Sequence, residues 1–142
     1  MGMVFEDLEA WQEARAVVRR VYALAKKGEL ARDFGLRDQV QRAAVSVMTN
    51  LAEGFERVGT KEKLHFYNIA KASNGEVRSL LYVVEDNYTD LSTDAQEIRS
   101  VNVSCGKKIT GLITSFRKRQ AFVCIGLLFA IFLSFTTFTL LS

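Results

Sequence analysis

The stretch that decides the fold is FGLRDQVQRAAVSVMTNLAEGFER, residues Phe34 to Arg57. Leu36, Val40, Ala43, Val47, Leu51 and Phe55 recur in it at spacings of three or four. Such spacing averages close to the helical repeat and holds one apolar stripe toward a neighbouring helix at a shallow crossing angle. At about 100° per residue, Gln39, Arg42, Ser46, Asn50, Glu53 and Arg57 fall within an arc of roughly 80°, beside the apolar stripe. Ala44, Val45, Met48 and Ala52 form a third, small-residue face on the other flank. A bundle helix serving only its own core would show one apolar stripe and a solvated back. This helix carries more apolar face than that, with an ordered polar stripe next to it.

Three further segments repeat the pattern. Glu6 to Lys27 aligns Leu8, Trp11, Ala14, Val18, Val21 and Ala25; Lys61 to Tyr88 aligns Phe66, Ala70, Ser73, Val77, Leu80 and Val84. Thr93 to Lys118 aligns Ile98, Val101, Cys105, Ile109, Leu112 and Phe116. No proline occurs in the 142 residues, so nothing forces these helices to break. Valine, isoleucine and threonine nowhere alternate with polar residues over a strand's length, which excludes a sheet. Gly28 after Lys26 and Lys27 suits a helix C-terminus. Gly59-Thr60 separates the second and third helices with Thr60 as N-cap, and Thr93 with Gln96 fits a capping box before the fourth. Connections this short make neighbours antiparallel. The expected architecture is an all-α, up-down four-helix bundle over residues 1–118, with an additional hydrophobic helix over 119–142.

The polar stripe admits two readings. In one, its charges pair along the helix surface, worth a few tenths of a kcal/mol each. In the other, Gln39, Arg42, Ser46, Asn50 and Glu53 form an oligomer interface, with buried polar groups fixing the register between subunits. Small residues on the neighbouring face favour close helix approach and hence the oligomer.

Basic residues are the other candidates. The chain carries 19 Lys and Arg against 16 Asp and Glu, a net charge of +3, which permits an anionic partner without demanding one. Arg15, Arg19 and Arg20 lie on the first helix, Lys61, Lys63 and Lys71 early in the third, and Lys107 and Lys108 on the fourth. Clustered cations are the footprint of phosphate binding, whereas interspersed charges are ordinarily a solvated face. Arg15, Arg19, Arg20, Lys107 and Lys108 are the residues selected for nucleic-acid contact.

Sequence motifs for chemistry are nearly absent. There is no phosphate-binding GxxxxGK[ST], no GxGxxG after a strand, no HExxH and no GxSxG. A bundle di-iron site needs Glu-x-x-His pairs on two helices, and His65 is the single histidine. No cofactor, no metal and no enzymatic activity are expected. Cys105 and Cys124 are too few and too far apart for a disulfide framework, which fits buried thiols in a reducing, cytoplasmic compartment.

Several segments together resemble a known family. They are Phe5-Glu-Asp-Leu8 with Trp11-Gln12-x-Ala14, Phe34-Gly35-Leu36-x-x-Gln39, Arg42-Ala43-Ala44-Val45-Ser46 and Asn50-Leu51-Ala52-Glu53-Gly54-Phe55. Phe66, Ala70, Ser73, Glu76 and the run Leu112 to Arg117 continue the likeness. The chain resembles the bacterial four-helix bundle proteins, also called the S23 or intervening-sequence protein family, over roughly residues 4–118. The resemblance implies a four-helix protomer assembling into a homopentamer. Related proteins act as accessory subunits of diversity-generating retroelements and bind nucleic acid through a basic surface. The chain departs from the family pattern at Met48, where a proline is usual, at Asn74-Gly75, where a more apolar pair is usual, and at Asn87-Tyr88-Thr89, where a glycine-containing turn is expected.

From Gln120 to Ser142 there is no charged residue. As a helix these residues would reach about 34 Å, enough for a bilayer core, and Arg117-Lys118-Arg119 would keep the bundle on the cytoplasmic side. A membrane anchor and an accidental extension both account for them. The leading expectation is a non-enzymatic oligomeric protein that binds RNA or a ribonucleoprotein through basic helix faces. A membrane-tethered scaffold with the bundle as its head is the rival.

Overall fold

The computed structural model describes the backbone of residues 2–139 and the side chains of residues 2–122. Its four α-helices are α1 (Glu9–Leu24), α2 (Phe34–Glu56), α3 (Thr60–Asn87) and α4 (Ser92–Thr139). Single 3-10 turns precede α1, α2 and α4, and no strand occurs among the described residues. The helices form a ring in which each packs on its sequence neighbours and α1 closes against α4. Contacts between opposite ends fix the antiparallel sense. Lys27 in the turn after α1 pairs with Asp94 at the start of α4 at 2.8 Å, and Asp33 before α2 meets Tyr88 after α3. This is the expected up-down bundle.

The core follows the spacing, with its phase adjusted. In α1, Ala10, Ala14, Val17, Val21 and Leu24 are buried, while Trp11 and Val18 pack only at its edge. Tyr67 rather than Phe66 enters from α3, and Ile113 rather than Leu112 from α4. A three-four pattern offers adjacent apolar residues at such positions, and the helix rotates to bury the one closer to the bundle axis. Each fully buried Val, Leu or Ile contributes about 1.5–3 kcal/mol.

The ends of the helices are built by side chains as well as by glycine. Asp33 accepts the Leu36 amide at 3.0 Å and caps α2, a cap the sequence analysis did not select. Gly28 takes φ +48° in the turn after α1, where a side chain would be strained. The residue preceding α3 is Gly59, with Thr60 already the first helical residue. Gln96 bonds Ser92 and Glu85 rather than closing a box with Thr93. At the end of α2, the Lys63 ammonium donates to the carbonyls of Gly54 and Phe55, satisfying acceptors that no helical amide reaches.

The departures from the family pattern are accommodated. With Met48 in place of proline, α2 runs unbroken over 23 residues. Asn74-Gly75 sits inside a continuous α3, and Asn74 is the centre of the α3–α4 contact. Its Nδ2 donates to the Asn102 carbonyl at 3.0 Å and to Asn102 Oδ1 at 2.7 Å; Asn102 Nδ2 returns a bond to the Asn74 carbonyl at 2.9 Å. Gly106 makes room for this pair, since a Cβ there would lie 2.6 Å from Asn74 Oδ1.

Beyond residue 118 the backbone continues α4 without a break to Thr139, so the expected additional helix begins as an extension of the fourth. The anchor expectation rests chiefly on residues 123–142, whose side chains lie outside the described residues. Among the described residues, no helix is long and apolar enough to cross a membrane.

Candidate nucleic-acid interface and oligomer face

The segments that carry the family resemblance at the N-terminus are held by local bonds. The Val4 amide donates to the Asp7 carboxylate at 3.0 Å, closing the turn before α1. Phe5 packs edge-on against Trp11 with ring centres 5.1 Å apart, and Gln12 Nε2 donates to the Glu6 carbonyl at 2.9 Å. Leu8 is buried. Phe5-Glu-Asp-Leu8 and Trp11-Gln12 therefore fasten the first turn to α1.

Four members of the α2 polar stripe have partners within the protomer, two of them on α3 and two on α2 or its C-cap. Ser46 and Ser73 hydroxyls lie 2.9 Å apart, and Asn50 Nδ2 donates to the Ser46 carbonyl at 2.8 Å and to its hydroxyl at 3.2 Å. Gln39 Nε2 reaches Glu76 at 3.5 Å, and Glu53 pairs with Arg57 one turn on. Arg42 is exposed. It lines an open groove of about 470 Å³ with Tyr22 of α1, which is 42% exposed, and Val45. Of the residues selected as an interface, Ser46 and Asn50 are half-buried, and Gln39, Arg42 and Glu53 are exposed. Ala44 is fully buried, which assigns part of the small-residue face to the core.

The basic candidates divide as well. Arg15, Arg19, Arg20 and Lys107 are exposed and belong to no ion pair among the described residues. Arg15 lies over the Trp11 ring at 5.8 Å. Lys108 instead reaches across to α1, 2.8 Å from Glu13 and 3.1 Å from Glu9. Glu13 and then Glu9 raise its pKa above the ordinary lysine value. Its charge is committed to holding α4 on α1, a cross-helix pairing with no local signal in the sequence. Ser104 joins this cluster with a 3.1 Å bond to Glu13. Burial pushes the neighbouring Cys105 thiol up to about 12, so it is a core thiol rather than a nucleophile.

Sequence reasoning did not select Arg78. It lines a groove of about 430 Å³ between α3 and α4 together with Lys71 and Lys107. Arg78 follows Lys71 by seven residues, two helical turns on one face, and that spacing was a usable signal. No group of three or more metal-ligating side chains occurs among the described residues. The grooves described here are open and hold no nucleophile paired with a base.

The comparisons with known proteins agree with this architecture. A crystal structure at 1.70 Å resolution of a protein with unknown function from the S23 ribosomal protein family of Bacteroides thetaiotaomicron VPI-5482 superposes with a TM-score of 0.68. It is 16% identical in sequence, and the alignment covers 74% of this chain and 95% of that one. The likeness establishes the shared fold. None of the curated proteins is detectably similar in sequence. The model of the 23S rRNA-intervening sequence proteins matches residues 6–111, from the first turn through most of the bundle. This chain belongs to the 23S rRNA-intervening sequence protein family.

Proposed function

We propose that this chain is a non-enzymatic, oligomeric protein that binds RNA or another nucleic acid through basic helix faces, with a cytoplasmic homopentamer as its assembly. The observation that carries the reading is the set of exposed cations without carboxylate partners among the described residues, Arg15, Arg19, Arg20 and Lys107. Unpaired surface cations release counterions when they meet phosphates, which gives a sequence-independent attraction. Lys108 supports the fold rather than the contact. The exposed Gln39, Arg42 and Glu53 of α2, with Tyr22 and Val45 beside Arg42, are the part of that helix offered to a second copy.

The test is light scattering coupled to size exclusion on the full-length chain, with and without a short structured RNA. The expected result is a pentamer that shifts with RNA at low salt and releases it as salt rises. A monomer indifferent to RNA would overturn both parts of the reading, and an affinity unchanged by salt would overturn its electrostatic basis. A membrane-tethered scaffold draws on the charge-free run from Gln120 to Ser142 behind Arg117-Lys118-Arg119. Recovery of the full-length chain in the soluble fraction would dismiss that reading.

A further inference from the structure

The seam between α3 and α4 carries a second cationic surface, different in kind from the arginines of α1. Lys71 and Arg78 of α3 face Lys107 of α4 across a groove that also contains Gly75, Gly106 and Thr110. All three cations are exposed, and none has an ion-pair partner among the described residues. No carboxylate lines the groove. The two glycines leave helix backbone bare between the cations. Gly106 is required by Asn74, but a Cβ at Gly75 would meet nothing within 4 Å. Packing therefore does not explain Gly75, although glycine inside a helix costs about 0.5–1 kcal/mol relative to alanine.

One turn beyond Arg78 on the same face stands Tyr82, 50% exposed. The Arg99 guanidinium of α4 lies over its ring at 3.9 Å. Arg99 also pairs with Glu85, which accepts a further bond from Gln96, so that carboxylate is occupied and the arginine is fixed in place. From Lys71 to Tyr82 the strip runs about 16 Å along α3. Cations in a row, bare backbone between them and an aromatic ring backed by a guanidinium are the components that track a single-stranded phosphodiester backbone and stack a base. A duplex hides its bases and would use only the cations.

Resting on the nucleic-acid reading above, we propose that the α3–α4 seam binds single-stranded RNA, with Lys71, Arg78 and Lys107 on successive phosphates and Tyr82 stacking a base. Arg99 is a positioning residue that holds the ring.

The experiment is fluorescence anisotropy of a short labelled oligouridine with the full-length chain, over a range of salt, against an unlabelled RNA duplex of equal length. The variants are Lys71→Gln/Arg78→Gln/Lys107→Gln, Tyr82→Ala and, for comparison, Arg15→Gln/Arg19→Gln/Arg20→Gln. These side chains are exposed, and unchanged thermal melting confirms that the variants are folded. The seam variant is expected to bind about tenfold or more weakly at low salt. Its log–log salt slope should flatten by about 2, from three contacts at about 0.7 each for a single strand. Tyr82→Ala is expected to lose about fivefold or more with its slope unchanged. If only the α1 variant loses binding, the seam assignment is overturned while the broader nucleic-acid reading stands. A duplex that competes as well as the single strand, with Tyr82→Ala indifferent, overturns the single-strand assignment. No anisotropy change with any RNA at low salt overturns both.

Discussion

Asn74 and Asn102 are the buried polar pair on which the α3–α4 contact turns, and their coupling can be measured. Asn102 is fully buried and Asn74 nearly so, and three hydrogen bonds of 2.7–3.0 Å join them. Asn102→Ala removes two of the three and leaves the Asn74 amide with one carbonyl acceptor. At a net value of about 1 kcal/mol per bond, with a small void added, the cost is about 2–3 kcal/mol. Asn74→Ala removes the other combination and strands Asn102 Oδ1 in the core, at a similar cost of about 2–3 kcal/mol. In the double variant neither amide remains to be left unpaired. Its cost should stay near about 3 kcal/mol rather than the sum, a coupling of about 1–3 kcal/mol. Urea unfolding of the four proteins, followed by circular dichroism, reads each value directly. Costs that add to within about 0.5 kcal/mol would refute the reasoning, because independent sites behave that way. So would an Asn102→Ala protein as stable as the parent.

Three other outcomes follow from the geometry. Gly54→Ala would set a Cβ 2.6 and 2.8 Å from two Tyr67 ring carbons and 3.1 Å from Phe66 Cβ. The ring is 1% exposed and has no room to move, so a loss of about 1–3 kcal/mol is expected in thermal or urea melting. The Leu36 amide and then the Tyr88 hydroxyl hold Asp33 below its ordinary pKa of 3.8. A carboxyl depressed by folding contributes stability above the unfolded value, and that contribution disappears as pH falls through the lower folded value. Carbon-13 NMR titration of Tyr88→Phe should show Asp33 moving up toward 3.8 yet remaining below it, because the Leu36 bond persists. Cys105, whose thiol is buried and raised to about 12, should resist alkylation in the folded Cys124→Ser protein at mildly alkaline pH and react once urea unfolds it. Rapid labelling without denaturant would contradict its burial.

Much of the fold was legible because it rests on periodicity. The stripe through Val40, Ala43, Val47 and Leu51 is the buried face of α2, and the punctuation at Gly28 and Gly59 lies where the chain turns. Periodicity does not fix which of two adjacent apolar residues faces inward, so Val18 and Phe66 were chosen where Val17 and Tyr67 are buried. In the sequence Asn74-Gly75 stands out only as a departure from a more apolar family pair. The partner of Asn74, Asn102, falls in line with Ile98, Cys105 and Ile109, and a lone amide on an apolar stripe is the available signal for a cross-helix bond. The candidate site was less legible because charge pairing between helices depends on their relative rotation. Lys107 and Lys108 are neighbours in sequence, yet one is exposed on the α3–α4 side and the other is tied to Glu9 and Glu13. Arg78 shares a face with Lys71 in the sequence, but that Lys107 joins them follows only from the packing of α3 on α4.

The closure of α1 on α4 has a kinetic meaning. The contacts that join α1 to α2, α2 to α3 and α3 to α4 lie within helical hairpins, whereas Lys27–Asp94 and Glu13–Ser104 join residues 67 and 91 positions apart. Bringing distant segments together carries the larger loop-closure entropy before any contact compensates it. The seam between α1 and α4 is therefore expected to close late, after the local hairpins have formed. Mutations in the Lys108–Glu13 cluster should then speed unfolding while leaving the folding rate nearly unchanged.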